Sequence, residues 1–463
     1  MRKIFDRHFV IFAVLLCGAI GAFLAQKSPQ YAPFSVESNI VLQNRTWGGA
    51  EQKSPHSKTT ALPQSQRVKS APPHAKSLIL PNATKSAHSS SIADLGENLM
   101  VVYFAGSREG ASDVAIMAHF VDKKTLISTS QRAILDAKML SLMSGKFIKK
   151  LGNPVIFRDK NGVLHLFVVG VSLGGWATAK IYQLKFRADL QGLDFVGELH
   201  LGLLANFSHL VRTPPIALEN GGFALPYYHE LARKYALVGF FDENAKFTRA
   251  LRLNRLKNQL QPTIIALNER ECLAFFRNHK AHNNDSFLQQ CSDFGAVWGT
   301  PKVANLKGYD DSALLVSYTN AQNAPRILLI YNDGRRLENG TFADSGSTRQ
   351  SLGLYALENA LGDLADKDLA QGDSTQGADI LAFDNGRFST NFAFLQNIDT
   401  VSVAHPNEVS YPSAVISGEW LFVAYTHNRK NIKIMRFNLA HLEAQIAQIS
   451  RESSNRNCPF RHS

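Results

Sequence analysis

Residues 408–432 read Glu-Val-Ser-Tyr-Pro-Ser-Ala-Val-Ile-Ser-Gly-Glu-Trp-Leu-Phe-Val-Ala-Tyr-Thr-His-Asn-Arg-Lys-Asn-Ile. The pattern is a β-hairpin. Residues 413–416 and 420–425 are short β-rich runs, and Ser417-Gly418 supplies the turn between them. Tyr411 opens the first strand and Tyr425 closes the second. One face of the first strand carries Tyr411, Ser413 and Val415, a mixture expected where a strand runs past a site. Glu408, His427 and Arg429 stand at the strand ends.

The same texture extends upstream. Short β-rich runs recur at 99–104, 154–157, 163–169, 223–226, 235–241, 263–267, 272–277, 312–318 and 326–331. Many short strands with few helical stretches predict an all-β sandwich, barrel or propeller. A weak repeat selects among these. Residues 293–298 spell Asp-x-Gly-x-x-Trp, which resembles the Asp box, a turn between outer strands of a propeller blade. Residues 242–247 keep the spacing with Asn244 for Gly and Phe247 for Trp. Two segments have helical spacing: 353–371, read as an insertion, and 439–449, read as a closing helix.

The N-terminal 85 residues differ from the rest. A basic start (Arg2, Lys3, Arg7) precedes an uncharged apolar run of 17 residues, 9–25. This run is just long enough to span a membrane core, and it lacks a good cleavage site, so residues 1–26 read as an uncleaved anchor, with a cleaved signal segment as the alternative. The basic flank would keep the N-terminus cytoplasmic and place the rest in a bacterial-type periplasm. Residues 27–85, rich in Ser, Pro, Lys and Gln, read as a disordered basic tether. Residues 1–85 hold 11 Lys and Arg against 3 Asp and Glu, so most of the chain's net +12 lies outside the folded body. Such basicity suits anionic lipid heads and argues against nucleic-acid binding by the domain. The folded region is 86–448, with a polar tail at 449–463. Cys272 and Cys291 would face each other across a symmetric hairpin. The pair is either a disulfide, which an exported domain can form, or two buried thiols.

Between residues 86 and 436 the chain resembles the sialidase superfamily, in particular a sialidase-like family with degenerate Asp boxes, of which a Kdo hydrolase would be one type. The motifs are Ser107-Arg108-Glu109-Gly110, Gly152-Asn153-Pro154, Thr213-Pro214-Pro215, Tyr227-Tyr228-His229-Glu230, Gln261-Pro262-Thr263, Phe276-Arg277-Asn278, Ser410-Tyr411-Pro412 and Tyr425-Thr426 with Arg429. The resemblance implies a six-bladed β-propeller with its site at the central end of the blades. It also implies that Tyr411 is a nucleophile, Asp113 an acid, and Arg277 and Arg326 the second and third carboxylate-binding arginines. Arginine suits a planar carboxylate because its forked donors pair with both oxygens. A tyrosine suits a substrate whose own carboxylate repels a carboxylate nucleophile.

Two positions depart from the pattern. His88 stands where the first arginine is expected, and Gln261 where the glutamate partner of the tyrosine is expected. Glu408 or Glu230 is the replacement base, and Arg108, Arg212 and Arg429 are further candidates for anion contacts. His229-Glu230 has no third ligand at useful spacing, so neither metal nor cofactor is expected. The whole reads as an anchored six-bladed propeller with a helical insertion and a C-terminal helix. It would act as an exo-glycosidase on a terminal 2-keto-3-deoxy sugar acid, Kdo or sialic acid, of a glycolipid such as lipopolysaccharide. A propeller that binds such a sugar without turnover is the alternative, and a uronic-acid lyase a weaker third. A partner subunit is left open.

Overall fold

A computed structural model describes residues 11–16, 31–36, 75–201, 206–332, 349–358, 390–401 and 407–456. Six antiparallel sheets of four or five strands form the blades of a six-bladed β-propeller. The inner strands, in order, are Ser86–Asp94, Lys150–Arg158, His209–Val211, Gln259–Ala266, Leu314–Thr319 and Val409–Ser417. The hairpin read from residues 408–432 is the inner pair of blade 6, with Val409–Ser417 against Trp420–His427.

Burial explains why the apolar runs are continuous rather than alternating. Asn98–Gly106 and Leu164–Val171 are second strands of their blades, and all but one of their residues are buried. A strand covered on both faces by neighbouring blades needs apolar residues at every position. The outermost strand Ile127–Asp136 is mostly exposed and correspondingly polar. Core clusters combine side chains of adjacent blades at every junction of the ring, as where Met100 and Val102 of blade 1 share a core with Leu166 and Val168 of blade 2.

The inner strands share a local device. Register shifts occur between His88 and Ser91, Gly152 and Val155, Leu260 and Thr263, and Ser410 and Ser413. Each bulge contains a residue at positive φ: Ser89 (58°), Asn153 (35°), Gln261 (44°) and Tyr411 (56°). In three of the four a proline follows. Bulges re-aim side chains and end regular pairing, and here they turn the strand where it passes the axis. Just beyond the bulge, a hydroxyl ties one blade to the next. Ile92 N donates to Ser413 Oγ at 3.1 Å, Ile156 N to Ser91 Oγ at 3.1 Å, and Leu315 N to Thr263 Oγ1 at 3.0 Å.

The ring closes through Ala75–Ile79, which pairs with Asn431–Asn438 as the outermost strand of blade 6. This strand lies inside the segment expected to be tether, so the propeller starts earlier than residue 86. Residues 31–36 are also docked: Phe34 bridges to Leu218 and is buried in a cluster shared by blades 3 and 4. The expected helical insertion is corrected at its start, because Ser351–Leu357 is a strand of blade 5. Leu352 and Leu354 pack between blades 5 and 6, and Leu357 packs between blades 4 and 5. The rest of that segment, from 359, lies outside the described residues, as does most of the N-terminal apolar run. Among the described residues no helix is long and apolar enough to cross a membrane. The closing helix is present as Leu439–Arg456, with Leu439 and Leu442 buried against blades 5 and 6.

Cys272 and Cys291 stand opposite each other in blade 4 and form a disulfide, with Cα atoms 4.9 Å apart. Replacing both by alanine should lower the unfolding free energy by about 2–4 kcal/mol. The measurement is a lower urea midpoint for the double variant. A second expectation concerns pH. Burial pulls His119 and His209 down to about 4, so both stay neutral in the fold. Their contribution is complete above pH 6.5 and is lost as pH falls towards 4, because the unfolded chain then binds protons that the fold refuses. The loss is at most about 3 kcal/mol per histidine. Urea midpoints at pH 7 and pH 4.5 measure it, and the difference should shrink in His119→Gln.

Candidate functional site

The end of the propeller at which the inner strands begin gathers polar residues from all six blades around Tyr411. The bulge of blade 6 delivers this side chain, which is 8% exposed. Arg277 Nη1 donates to its phenol oxygen at 2.9 Å. The guanidinium carbons of Arg212 and Arg349 lie 5.0 and 5.6 Å from the ring centroid. The His88 ring packs on the same phenol with centroids 4.2 Å apart. Gln261 Nε2 makes long contacts to Tyr411 Oη (3.4 Å) and Tyr228 Oη (3.3 Å), and Asn153 Nδ2 reaches Tyr228 Oη at 3.3 Å. Asn153, Gln261 and Tyr411 occupy equivalent bulge positions, so the repeated backbone device aims three of these side chains at once.

Acidic groups hold the arginines from behind. Asp310 Oδ1 accepts from Arg277 Nε at 2.8 Å and meets His279 Nδ1 at 2.9 Å. Arg349 Nε donates to Asp311 Oδ1 at 3.0 Å and its Nη2 to Asp310 O at 2.7 Å. Glu408 accepts from Ser410 Oγ (2.7 Å), pairs with Arg429 Nε (3.2 Å), and lies 3.6 Å from both Arg349 Nη1 and His88 Nδ1. Arg429 in turn reaches Glu109 at 2.7 Å. For Arg277 burial opposes the charge, but Tyr411 and Asp310 outweigh it and raise the pKa.

Arg212 is different. It is 1% exposed and among the described residues has no carboxylate partner. Its Nη1 and Nη2 donate to the carbonyls of Ser90 (3.2 Å) and Pro412 (2.9 Å). Burial pulls it down to about 10, which leaves it charged at neutral pH. His88 is held far below its usual value, first by burial and then by Arg429, Arg349, Arg212 and Arg277, so it is neutral. Its Nδ1 contacts Thr426 Oγ1 at 2.9 Å, and its Nε2 is buried without a protein partner.

Most residues singled out from the sequence therefore meet: Tyr411, Arg277, His88, Gln261, Glu408 and Arg429 form one network, and Arg212 joins it. Glu230 follows the strand Phe223–His229, and after burial it is the main reason the Tyr228 phenol is pushed well up. Arg108 and Asp113 sit on the exposed rim loop after Asn98–Gly106. Asp113 Oδ2 and Oδ1 accept from Ser107 N and Oγ, each at 2.9 Å, and these bonds hold its carboxyl below the usual range. Arg326 is the correction. It pairs with Tyr318 near the far end of blade 5's inner strand and is bound to Glu443 of the C-terminal helix at 3.1 Å. It lines a cavity at the opposite end of the propeller, with Ile264, Leu315 and Ile416. The arginine that stands beside Tyr411 from blade 5 is Arg349. Its sequence signal is hidden, because the leucine spacing that follows it is compatible with a helix and masks the strand Ser351–Leu357. Among the described residues no cluster of His, Cys, Asp and Glu is arranged to hold a metal.

Comparison with known proteins agrees with this architecture. A search of the curated proteins gave no match. Among solved structures, a protein of unknown function from Dyadobacter fermentans has a TM-score of 0.56 at 12% identity, over 79% of this chain and 99% of that one. The Hadza microbial sialidase Hz136 has a TM-score of 0.56 at 11% identity, over 77% of this chain and 66% of that one. The Trypanosoma rangeli sialidase in complex with sialic acid has a TM-score of 0.54 at 11% identity, over 83% and 62%. The chain thus spans less than two thirds of the length of these sialidases, and at such identity the likeness is one of fold. The family model for the BNR repeat-like domain matches residues 97–423, so the chain belongs to the BNR repeat-like domain family.

Proposed function

We propose that this protein is an exo-glycosidase that releases a terminal 2-keto-3-deoxy sugar acid, Kdo or sialic acid, from an envelope glycoconjugate such as lipopolysaccharide. One observation carries this reading: guanidinium groups from blades 3, 4 and 5 (Arg212, Arg277 and Arg349) converge on one phenol at the propeller axis. A sugar acid with its carboxylate on the anomeric carbon presents to such a site one planar anion directly beside the carbon to be attacked. Arg277 and Arg349, braced by Asp310 and Asp311, bind the carboxylate through paired charge-assisted hydrogen bonds. Tyr411 Oη then bonds to the anomeric carbon as the glycosidic C–O bond breaks, and water later releases the sugar and restores the phenol.

The phenol proton needs an acceptor, and Gln261 is not one. In the tautomer with its proton on Nδ1, His88 bonds to Thr426 and keeps a lone pair on the buried Nε2, and its ring packs on that of Tyr411. The arginines contribute to its depressed pKa, and a bound carboxylate offsets their field, so His88 becomes a better base once substrate is present. Proton donation to the leaving oxygen falls to the carboxyls of the 107–113 loop, Asp113 or Glu109. Asp113 donates only after Ser107 releases it and it takes a proton, so activity is highest on the acid side of neutrality. In this reading residues 1–26 anchor the chain, and the propeller works on the periplasmic side of a bacterial-type inner membrane.

A binding-only propeller is the second reading, favoured by Gln261 in the position where a base is expected. Tyr411→Phe separates the two. For the enzyme it should abolish release of sugar acid from lipopolysaccharide and sialosides while changing affinity less than tenfold. A wild-type protein that binds these sugars but releases none establishes the binding module, and one that does neither removes both readings. Arg349→Ala should weaken substrate binding by about 10–100-fold, the worth of a charge-assisted pair. Arg326→Ala should leave KM within about twofold.

A further inference from the structure

Beside the axial site, between blades 1 and 2, lies a separate cavity of about 480 Å³. Arg108, Lys149 and Lys150 line it, with the hydroxyl residues Ser107, Ser112 and Ser172. Gly110, Gly174 and Gly175, at φ 74°, 94° and 69°, leave part of its wall as bare backbone. Lys150 Nζ is held over the Trp176 ring at 4.9 Å. Among the described residues none of the three cations forms an ion pair, in contrast to the braced arginines at the axis. The only carboxylate in the lining, Asp113, is turned back onto Ser107. Three cations around a concave, hydroxyl-lined wall suit a compact anion.

Two connections join this cavity to the axis. Lys150 opens the inner strand of blade 2, three residues (about 10 Å) before Asn153, which contacts Tyr228. The loop that carries Arg108 also carries Glu109, which is tied through Arg429 to Glu408. The cavity therefore lies at the same end of the propeller as Tyr411, on the side of blades 1 and 2.

We infer that this cavity is an aglycone subsite for a second anionic group, a phosphate monoester or a carboxylate, on the sugar from which the terminal sugar acid is cleaved. The inference rests on the glycosidase reading, and it deepens it by making the leaving group part of substrate recognition. Such a subsite lets an exo-enzyme choose among glycans that end in the same sugar acid.

The test uses the full chain and three synthetic disaccharides with the same terminal sugar acid, whose second sugar is neutral, phosphorylated or carboxylated. An anionic aglycone should lower KM by about tenfold or more relative to the neutral one, and the larger gain of the two identifies the anion. The preference should fade with rising salt and disappear in Lys149→Ala/Lys150→Ala. It should return in Lys149→Arg/Lys150→Arg, which a merely structural role for these lysines would not require. Equal KM values for the three compounds, or a preference that survives the double alanine variant, overturn the inference while leaving the glycosidase reading intact. If none of the compounds is hydrolysed, the glycosidase reading fails. Calorimetric binding of the same three compounds then decides the subsite: lysine-dependent tighter binding of an anionic aglycone supports it, and equal binding overturns it.

Discussion

The guanidinium of Arg212 is the interaction on which the centre of the molecule depends. It enters from blade 3 and reaches the carbonyls of Ser90 and Pro412, in the bulges of blades 1 and 6, while lying over the Tyr411 ring. Burying a charge without a carboxylate partner is costly, and only well-placed acceptors and a π face make it tolerable. The arrangement ties three blades across the axis and fixes Tyr411 between Arg212, Arg277 and His88. A carboxylate partner here would neutralise Arg212 and remove a cation from the axis. Carbonyls satisfy the hydrogen bonds and leave the charge in place.

The bulges that supply those carbonyls also aim the site. A residue at positive φ followed by proline is locally unfavourable, and such strain is kept where surrounding structure over-determines it. Blade stacking provides this, with hydroxyls such as Ser91 and Thr263 closing the hydrogen bonds between blades. One device repeated in separate blades therefore brings Asn153, Gln261 and Tyr411 to a common axis. His88 stands at the start of one such bulge and Gln261 within another, so the same backbone device also presents neutral side chains to the axis.

The rim obeys a different logic. Glu109 and Arg429 link the 107–113 loop to the axial network, whereas Lys149 and Lys150 face a cavity whose one lining carboxylate, Asp113, is bonded to Ser107. The charges at the axis are buried and held by hydrogen bonds, while Lys149 and Lys150 at the rim form no ion pair among the described residues. A pocket of the first kind discriminates by geometry. One of the second kind attracts anions through a field that salt weakens.

The amino-acid sequence by itself determined the fold class, the hairpin of blade 6, the closing helix, and the identity of Tyr411, Arg277, His88, Gln261 and Glu408 as residues to watch. These were legible because each sits in a short motif at a strand end, where local pattern and backbone geometry coincide. Only the tertiary structure decided which arginine of blade 5 stands beside Tyr411. Arg326 and Arg349 both stand beside β-rich runs, and what separates them is which end of blade 5 each occupies, a property of strand direction in the ring. It likewise decided that Ala75–Ile79 closes the ring, since an outermost strand needs no apolar pattern, and that Ser351–Leu357 is a strand, since burial between two blades gives it leucines on both faces. The disulfide, too, required the register that sets Cys272 opposite Cys291. Local sequence fixes which residues can do chemistry, and the closed ring of blades selects the ones that meet.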